Sequence, residues 1–534
     1  MWNFAFALVP AIVSTLYSRL LLVPTVHLDG GTVIGKSDGD VDEYLGLIYA
    51  QAPRFRLPVP VEKYTGRVYA QEFGPTCIQQ TLSPTSSHVP LPPPRQNQAE
   101  ECLSLNVIVP KGTKPGDNLP VAFIIHGGGF QIGSSSWSAS SRVKRSIELG
   151  LPMILVTINY RLSAYGFIAG KEVLEDGVSN IAIYDQREAL KWVNRYIHAF
   201  GGDSSRVTIN GGSAGGVSVV YQMLAFGGNN DGLFAAAFAQ SGSFLSSSPT
   251  SRGQVYYDKL VKGAGCEDSS DTLGCLRNVP LDTLRGAVDK SPDIFSYRGG
   301  AIIWTPHVDG GILQDSPFNL VRGGKIAKVP LVIGNMDDEG TNFALQYTNH
   351  TDDEHFADWV HRCWFPDAPR SSLVRLFELY PSTPAAGSPF GTGDSNQLYP
   401  QFKRTAAFAG DAIFQSPRRY LVREIVKTGE QKLWCYGSTK LKNTPIMGSF
   451  HGSDYATGFL DDPLIYFVNY HDPNIPADSA LTEGMLAWPE YSGAEGSQDV
   501  YTFNDEGDPV LTTDTFREEA IEELTRLSRE YPIF

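Results

Sequence analysis

Basic residues are the minority charge in this chain. Its 534 residues carry 43 Lys and Arg against 58 Asp and Glu, a net charge of −15. They form no basic cluster, which argues against a nucleic-acid partner. The acidity favours solubility and says little about substrate. Beyond the N-terminus no stretch is long and apolar enough to span a bilayer. Internal repeats are missing, so a repeat architecture is not expected. Cysteine is scarce, with six residues: Cys77, Cys102, Cys266, Cys275, Cys363 and Cys435. An even number permits disulfides but leaves the pairing open. Cys266 and Cys275 close a short, polar, turn-rich loop and are the easiest local pair to propose.

What is present is ordinary globular composition, 42% hydrophobic and 19% charged, with ample material for a large core. Residues 1–18, MWNFAFALVPAIVSTLYS, are apolar and read as a secretory signal peptide. They lack an early Lys or Arg, and Pro10 interrupts them; a membrane anchor and a buried first helix are the other readings. Cleavage leaves residues 19–534 as one domain with no stable membrane span. Asn349-His350-Thr351 is a glycosylation sequon in a polar segment, consistent with secretion.

Apolar runs along the chain read as strands: Val26–Leu28, Thr32–Ile34, Tyr44–Tyr49, Leu105–Val109, Val121–Ile125, Met153–Asn159, Val207–Ile209, Ala235–Gln240, Val329–Ile333 and Leu433–Tyr436. Helices are expected near Ala182–Ile197, after Ser213, and over most of 354–380. The alternation predicts an α/β fold whose parallel or mixed sheet is covered on both faces. The stretch from Cys77 to Cys102 holds Pro84, Pro90, Pro92, Pro93 and Pro94 and cannot be one helix. Residues 381–398, rich in Pro, Gly and Ser, read as a surface loop.

The strongest chemical signal is Gly211-Gly212-Ser213-Ala214-Gly215. It follows a β-branched strand and opens a helix with Val217, Val220, Tyr221 and Leu224 on one face. Glycines relieve the crowding of a sharp strand-to-helix turn, which lifts the Ser213 hydroxyl above the sheet. A serine hydroxyl needs a neighbouring base, and the base an orienting acid. Both should follow strands, in the order Ser, acid, His. His451 stands in a Gly-flanked loop after Leu433–Tyr436, where a base belongs. Glu339 ends the loop after Val329–Ile333; on spacing alone Asp338 is nearly as good. Gly127-Gly128-Gly129, straight after Val121–Ile125, suits backbone N–H groups that must approach an oxyanion unobstructed. The Ala214 N–H is a further donor.

Several segments together resemble the type-B carboxylesterases, which include cholinesterases and fungal lipases. Ala99–Asn106 (AEECLSLN) is similar to that family's S-E-D-C-L-x-L-N signature, with Ala99 and Glu101 as departures. Gly201–Gly216 is similar to its nucleophile segment, and Asp338-Glu339-Gly340 to its acid loop. The resemblance implies a large α/β-hydrolase fold with helices on both faces. It implies Ser213 as nucleophile, Glu339 as acid and His451 as base, with Gly128, Gly129 and Ala214 as oxyanion hole. It also implies disulfides Cys77–Cys102 and Cys266–Cys275, with Cys363 and Cys435 buried and free. Ser241 matches a serine that supports the acid–base pair. The implied reaction is hydrolysis of a small-molecule carboxylic ester through an acyl-enzyme, needing no metal or organic cofactor.

A different class, a non-catalytic adhesion protein on this fold, is disfavoured because Ser213, Glu339 and His451 are all present. Triacylglycerol lipase is the alternative among hydrolases. The short Cys77–Cys102 loop lacks aromatics and offers little apolar surface to a lipid interface, so a carboxylesterase is expected. It also lacks the Trp of a choline-binding site.

Overall fold

The computed structural model describes residues 23–83, 97–137, 139–475, 486–492 and 498–533. The signal-peptide segment 1–18 and the prolines from Pro84 to Pro94 lie outside them. Eleven strands form one sheet. In chain order they are β1 (Lys36–Asp38), β2 (Val41–Ile48), β3 (Ser104–Pro110) and β4 (Leu119–Ile125). Then come β5 (Ile154–Ile158), β6 (Gly202–Gly212), β7 (Ala236–Gln240) and β8 (Leu331–Met336). The last three are β9 (Leu433–Ser438), β10 (Asp499–Phe503) and β11 (Val510–Thr513). Their order across the sheet is β11-β10-β9-β8-β7-β6-β4-β5-β3-β2-β1. Neighbours from β5 to β10 are parallel, and the pairs at both ends are antiparallel. The mixed sheet expected from the alternation of elements is what the chain forms.

Alternate residues of each central strand serve two cores. Val121, Phe123 and Ile125 of β4 face one, and Ala122 and Ile124 the other. A strand buried on both faces reads as a continuous apolar run, which is why these strands were visible in sequence. Helices α1 (Ser140–Glu148) and α6 (Asp461–Tyr470) cover the second face through Val143, Leu464 and Ile465. The first face carries α2 (Ile181–Tyr196), α3 (Ala214–Gly228), α4 (Phe402–Gly410), α5 (Ser416–Thr428) and α7 (Glu518–Glu530).

Two expectations need correction. Residues 214–225 of α3 are buried all round, not along one face, because the helix runs between the sheet and other helices. The 381–398 segment is only partly a surface loop: Gly387, Ser388 and Pro389 are buried, held by a hydrogen bond from Ser388 to Asp338. The cysteines pair as the resemblance implied, Cys77 with Cys102 and Cys266 with Cys275. Cys363 and Cys435 are buried free thiols. Burial pushes Cys435 up to about 12, so it is held as an unreactive thiol.

In the parallel block, β4 is followed in sequence by β5 on one side and β6 on the other. This reversal of direction opens a crevice at the carboxyl ends of β4 and β6. The glycine run and Ser213 leave from those two ends.

Candidate active site

Ser213 occupies the turn between β6 and α3 with φ 58° and ψ −127°, outside the regions most L residues adopt. Its N–H donates to the Gln240 carbonyl at 2.8 Å, fixing the turn against β7. The flanking glycines are required by close approach. A Cβ on Gly211 would lie 2.5 Å from the Gly215 carbonyl, and one on Gly215 would overlap the Ile125 carbonyl of β4. The sequence motif is thus the packing requirement of a serine held above the sheet.

Glu339 leaves the end of β8, and His451 lies in the loop after β9. The His451 Nε2 is 2.8 Å from Ser213 Oγ, and its Nδ1 is 2.6 Å from Glu339 Oε2. Three side chains spaced far apart in sequence form one line. Glu339 is only 1% exposed. Its Oε1 accepts the Met336 N–H at 2.8 Å and the Asn335 amide at 3.4 Å. These bonds leave Oε2 directed at the imidazole.

The ring of His451 packs against Phe414 at 4.6 Å and Phe343 at 5.3 Å between centroids. Phe414 comes from a π-helical turn, Asp411–Gln415, between α4 and α5. Such turns are rare and often sit at functional sites. Gln415 of the same turn donates to the Met336 carbonyl at 3.0 Å. Sequence reasoning missed Phe414 and Gln415, since no glycine or proline marks the turn itself.

After β4 the backbone turns through Gly128 (φ 111°) and Gly129 (φ 59°), angles that favour glycine. The Gly128 carbonyl accepts from the N–H groups of Gln131 and Ile132, both at 3.0 Å. This closes the turn around Ser213. Phe130, Leu245, Ile294, Ile302, Phe343 and Phe414 line an apolar cleft that opens on Ser213 and Ala214.

The remaining candidates fall as follows. Asp338, the other acid considered on spacing, bonds elsewhere and not to His451: its carboxylate pairs with Lys442 at 2.7 Å. Ser241 follows β7 and its N–H donates to Gly334 O at 2.9 Å. Its hydroxyl has no hydrogen-bond partner among the described residues, so no bond ties it to Glu339 or His451. Asn349 is exposed, as a sequon requires. His307 and His350 are buried away from this line, and burial lowers both to about 4.

Sequence reasoning did not single out Asp454, which is 3% exposed and close to the Glu339–His451 pair. Its Oδ2 accepts from Gln240 at 3.4 Å. Burial, then the Glu339 charge, push its carboxyl up to about 6, against an opposing effect of His451. The unfolded value is near ~3.9. The native state therefore binds this proton more tightly, and its contribution to stability falls as pH rises through about 6. Asp454→Asn is expected to raise thermal stability at about pH 8 by about 2–3 kcal/mol and to leave it unchanged near about pH 4. Thermal unfolding at both pH values tests this; a gain equal at both would reject the assignment.

Comparisons with known proteins give the family. Residues 22–465 match the model of the carboxylesterase family. The chain is 37% identical to secreted lipase 1 of Botryotinia fuckeliana, over 89% of this chain and 88% of that one. It is 34% identical to the secreted triacylglycerol lipase LIP1 of Gibberella zeae, over 93% and 89%. The crystal structure of Aspergillus niger EstA superposes with a TM-score of 0.81 at 24% identity, covering 95% of this chain and 99% of the other. That last likeness concerns the fold.

Proposed function

The chain belongs to the carboxylesterase family and hydrolyses carboxylic esters of small molecules, and from that premise we propose that Ser213, His451 and Glu339 carry the reaction. The observation that supports this most directly is the hydrogen-bonded line from the Ser213 hydroxyl through His451 to Glu339. The role of residues 19–534 as one catalytic domain is supported by the eleven-stranded sheet, which draws strands from Lys36 to Thr513.

In this mechanism His451 Nε2 takes the hydroxyl proton as Ser213 Oγ attacks the ester carbonyl. Glu339 holds the Nδ1 proton and stabilises the imidazolium. The N–H groups of Gly128, Gly129 and Ala214 receive the charge that develops on the carbonyl oxygen. His451 then protonates the departing alcohol. Water attacks the acyl-enzyme by the same route and frees the acid. Chain and solvent supply every proton in this cycle.

The apolar cleft beside Ser213 suits a hydrocarbon acyl group. This favours a carboxylesterase acting on apolar esters. A second reading, triacylglycerol lipase, is favoured by the secreted lipases among the relatives. The protein is secreted, as those relatives are named, and its two disulfides suit an oxidising compartment.

Hydrolysis of p-nitrophenyl butyrate and labelling of Ser213 by an organophosphonate test the enzyme reading; a chain inert to both is not a serine esterase. Rates measured across the solubility limit of tributyrin separate the two hydrolases. The esterase reading expects a smooth saturation curve. A sharp rise at emulsion formation assigns the lipase.

A further inference from the structure

Next to Glu339 stands a second carboxylate whose bonding is unlike that of any surface acid. Asp338 is completely buried. Its Oδ1 accepts the Ser388 hydroxyl at 2.9 Å and the Phe390 N–H at 2.8 Å. Its Oδ2 accepts the Ser449 N–H at 2.8 Å and the Lys442 ammonium at 2.7 Å. Four donors from three parts of the chain therefore converge on one side chain. Burial and the neighbouring Asp337 raise its carboxyl, while Lys442 opposes them.

These bonds join the loops that carry the acid and the base. Ser449 is two residues before His451, and Asp338 is one before Glu339. The backbones meet there as well, with Asp338 N–H donating to Ser449 O at 2.9 Å. Thr341 donates to the Met447 carbonyl at 2.8 Å, and Asn342 to the His451 carbonyl at 3.0 Å. Gly448 has φ 60°, and a Cβ there would overlap Asp338 Oδ2. The glycine beside the histidine loop thus admits the carboxylate.

We propose that Asp338 is a positioning residue for ester hydrolysis, clamping the Glu339 loop to the His451 loop and both to the turn at 387–390. The proposal rests on the Ser213–His451–Glu339 reading above. A buried anion that accepts four hydrogen bonds has little freedom to move, and neither do the donors around it. The 2.6 Å contact between Glu339 and His451 depends on the relative position of two loops. A shift of about 1 Å between such groups costs about 10²-fold in rate.

Asp338→Ala removes every side-chain bond. Asp338→Asn can keep the two on Oδ1, but its NH₂ accepts neither of the bonds that Oδ2 accepts now. Lys442→Met removes the counter-charge with the one bond it donates to Oδ2, and also its pair with Asp337. The full chain carrying each variant is assayed for kcat and KM on p-nitrophenyl butyrate, for the rate of organophosphonate labelling, and for thermal midpoint. Val500→Ala, a buried change in β10, supplies a control for lost stability.

Asp338→Ala is expected to lower kcat by about 10²-fold with KM changed less than about threefold, and Asp338→Asn to lose less. Labelling should slow in step with kcat, and Val500→Ala should retain its kcat at the assay temperature. Undiminished kcat in Asp338→Ala overturns the clamp. So does a loss confined to KM, or an equal loss of kcat in Val500→Ala. If the alanine variant does not fold, the asparagine and Lys442→Met variants decide: the clamp stands if their kcat falls and is overturned if it does not. Failure of the underlying reading looks different, because Ser213→Ala would then remain active whatever Asp338 does.

Discussion

Ser213→Ala is expected to lower kcat for p-nitrophenyl butyrate by at least about 10⁴-fold while leaving the fold intact. The hydroxyl is the only atom lost. It accepts no bond that holds the turn, because the Ser213 backbone is fixed through its N–H to Gln240 and its carbonyl to Val217. Alanine keeps the Cβ already accommodated at φ 58°. Stability should therefore change little, and thermal unfolding beside the kinetics checks that. What remains after removal of the nucleophile is catalysis by the oxyanion donors and by binding, which lets water attack slowly. The variant should also resist organophosphonate labelling completely. Turnover within about tenfold of the unmodified enzyme would exclude Ser213 as nucleophile, because a covalent route cannot survive loss of its attacking oxygen.

The residues that build this site were legible to different degrees, for physical reasons. Strands β4, β6, β7, β8 and β9 are buried on both faces, so each is an apolar run ended by a Gly-rich or polar loop. The reactive loops follow such strands; the G-x-S-x-G turn singled out Ser213, and position singled out His451. Choosing between Asp338 and Glu339 was not possible from spacing, since adjacent residues differ only in where their side chains point. The structure separates them: Glu339 faces the imidazole, and Asp338 faces Lys442, Ser388 and Ser449. None of these partners lies in the loop that carries the two carboxylates. The edge strands β1 and β11 escaped notice because β1 is largely exposed and β11 wholly so; β10, just inside β11, was missed although it is mostly buried. The π-turn with Phe414 lies between α4 and α5, and its residue types suit an ordinary helix. Ser241 shows the opposite case, a motif position whose hydroxyl finds no partner among the described residues.

Glu339→Gln should cost about 10⁴-fold in kcat, through a change of charge and tautomer at nearly constant shape. The carboxamide oxygen can still accept the Met336 N–H that Oε1 accepts now. Its NH₂ then faces His451 Nδ1 and can only donate. That forces Nδ1 to act as acceptor and places the imidazole proton on Nε2, which points at Ser213 Oγ. A protonated Nε2 cannot take the hydroxyl proton. Reversing the amide restores an acceptor for Nδ1–H but sets the NH₂ against the Met336 N–H, leaving buried donors unpaired at a cost of about 1–3 kcal/mol. Either arrangement also removes the negative charge that stabilises the imidazolium. The apolar cleft is untouched, so KM should change by less than about threefold. Glu339→Asp retains the charge on a shorter stem and should lose less than Gln. Steady-state kinetics of the two variants beside Asp338→Asn separates the neighbouring carboxylates: loss of charge at 339 must cost far more than loss of charge at 338. Equal losses at both positions would mean that Glu339 also acts only by holding its loop in place.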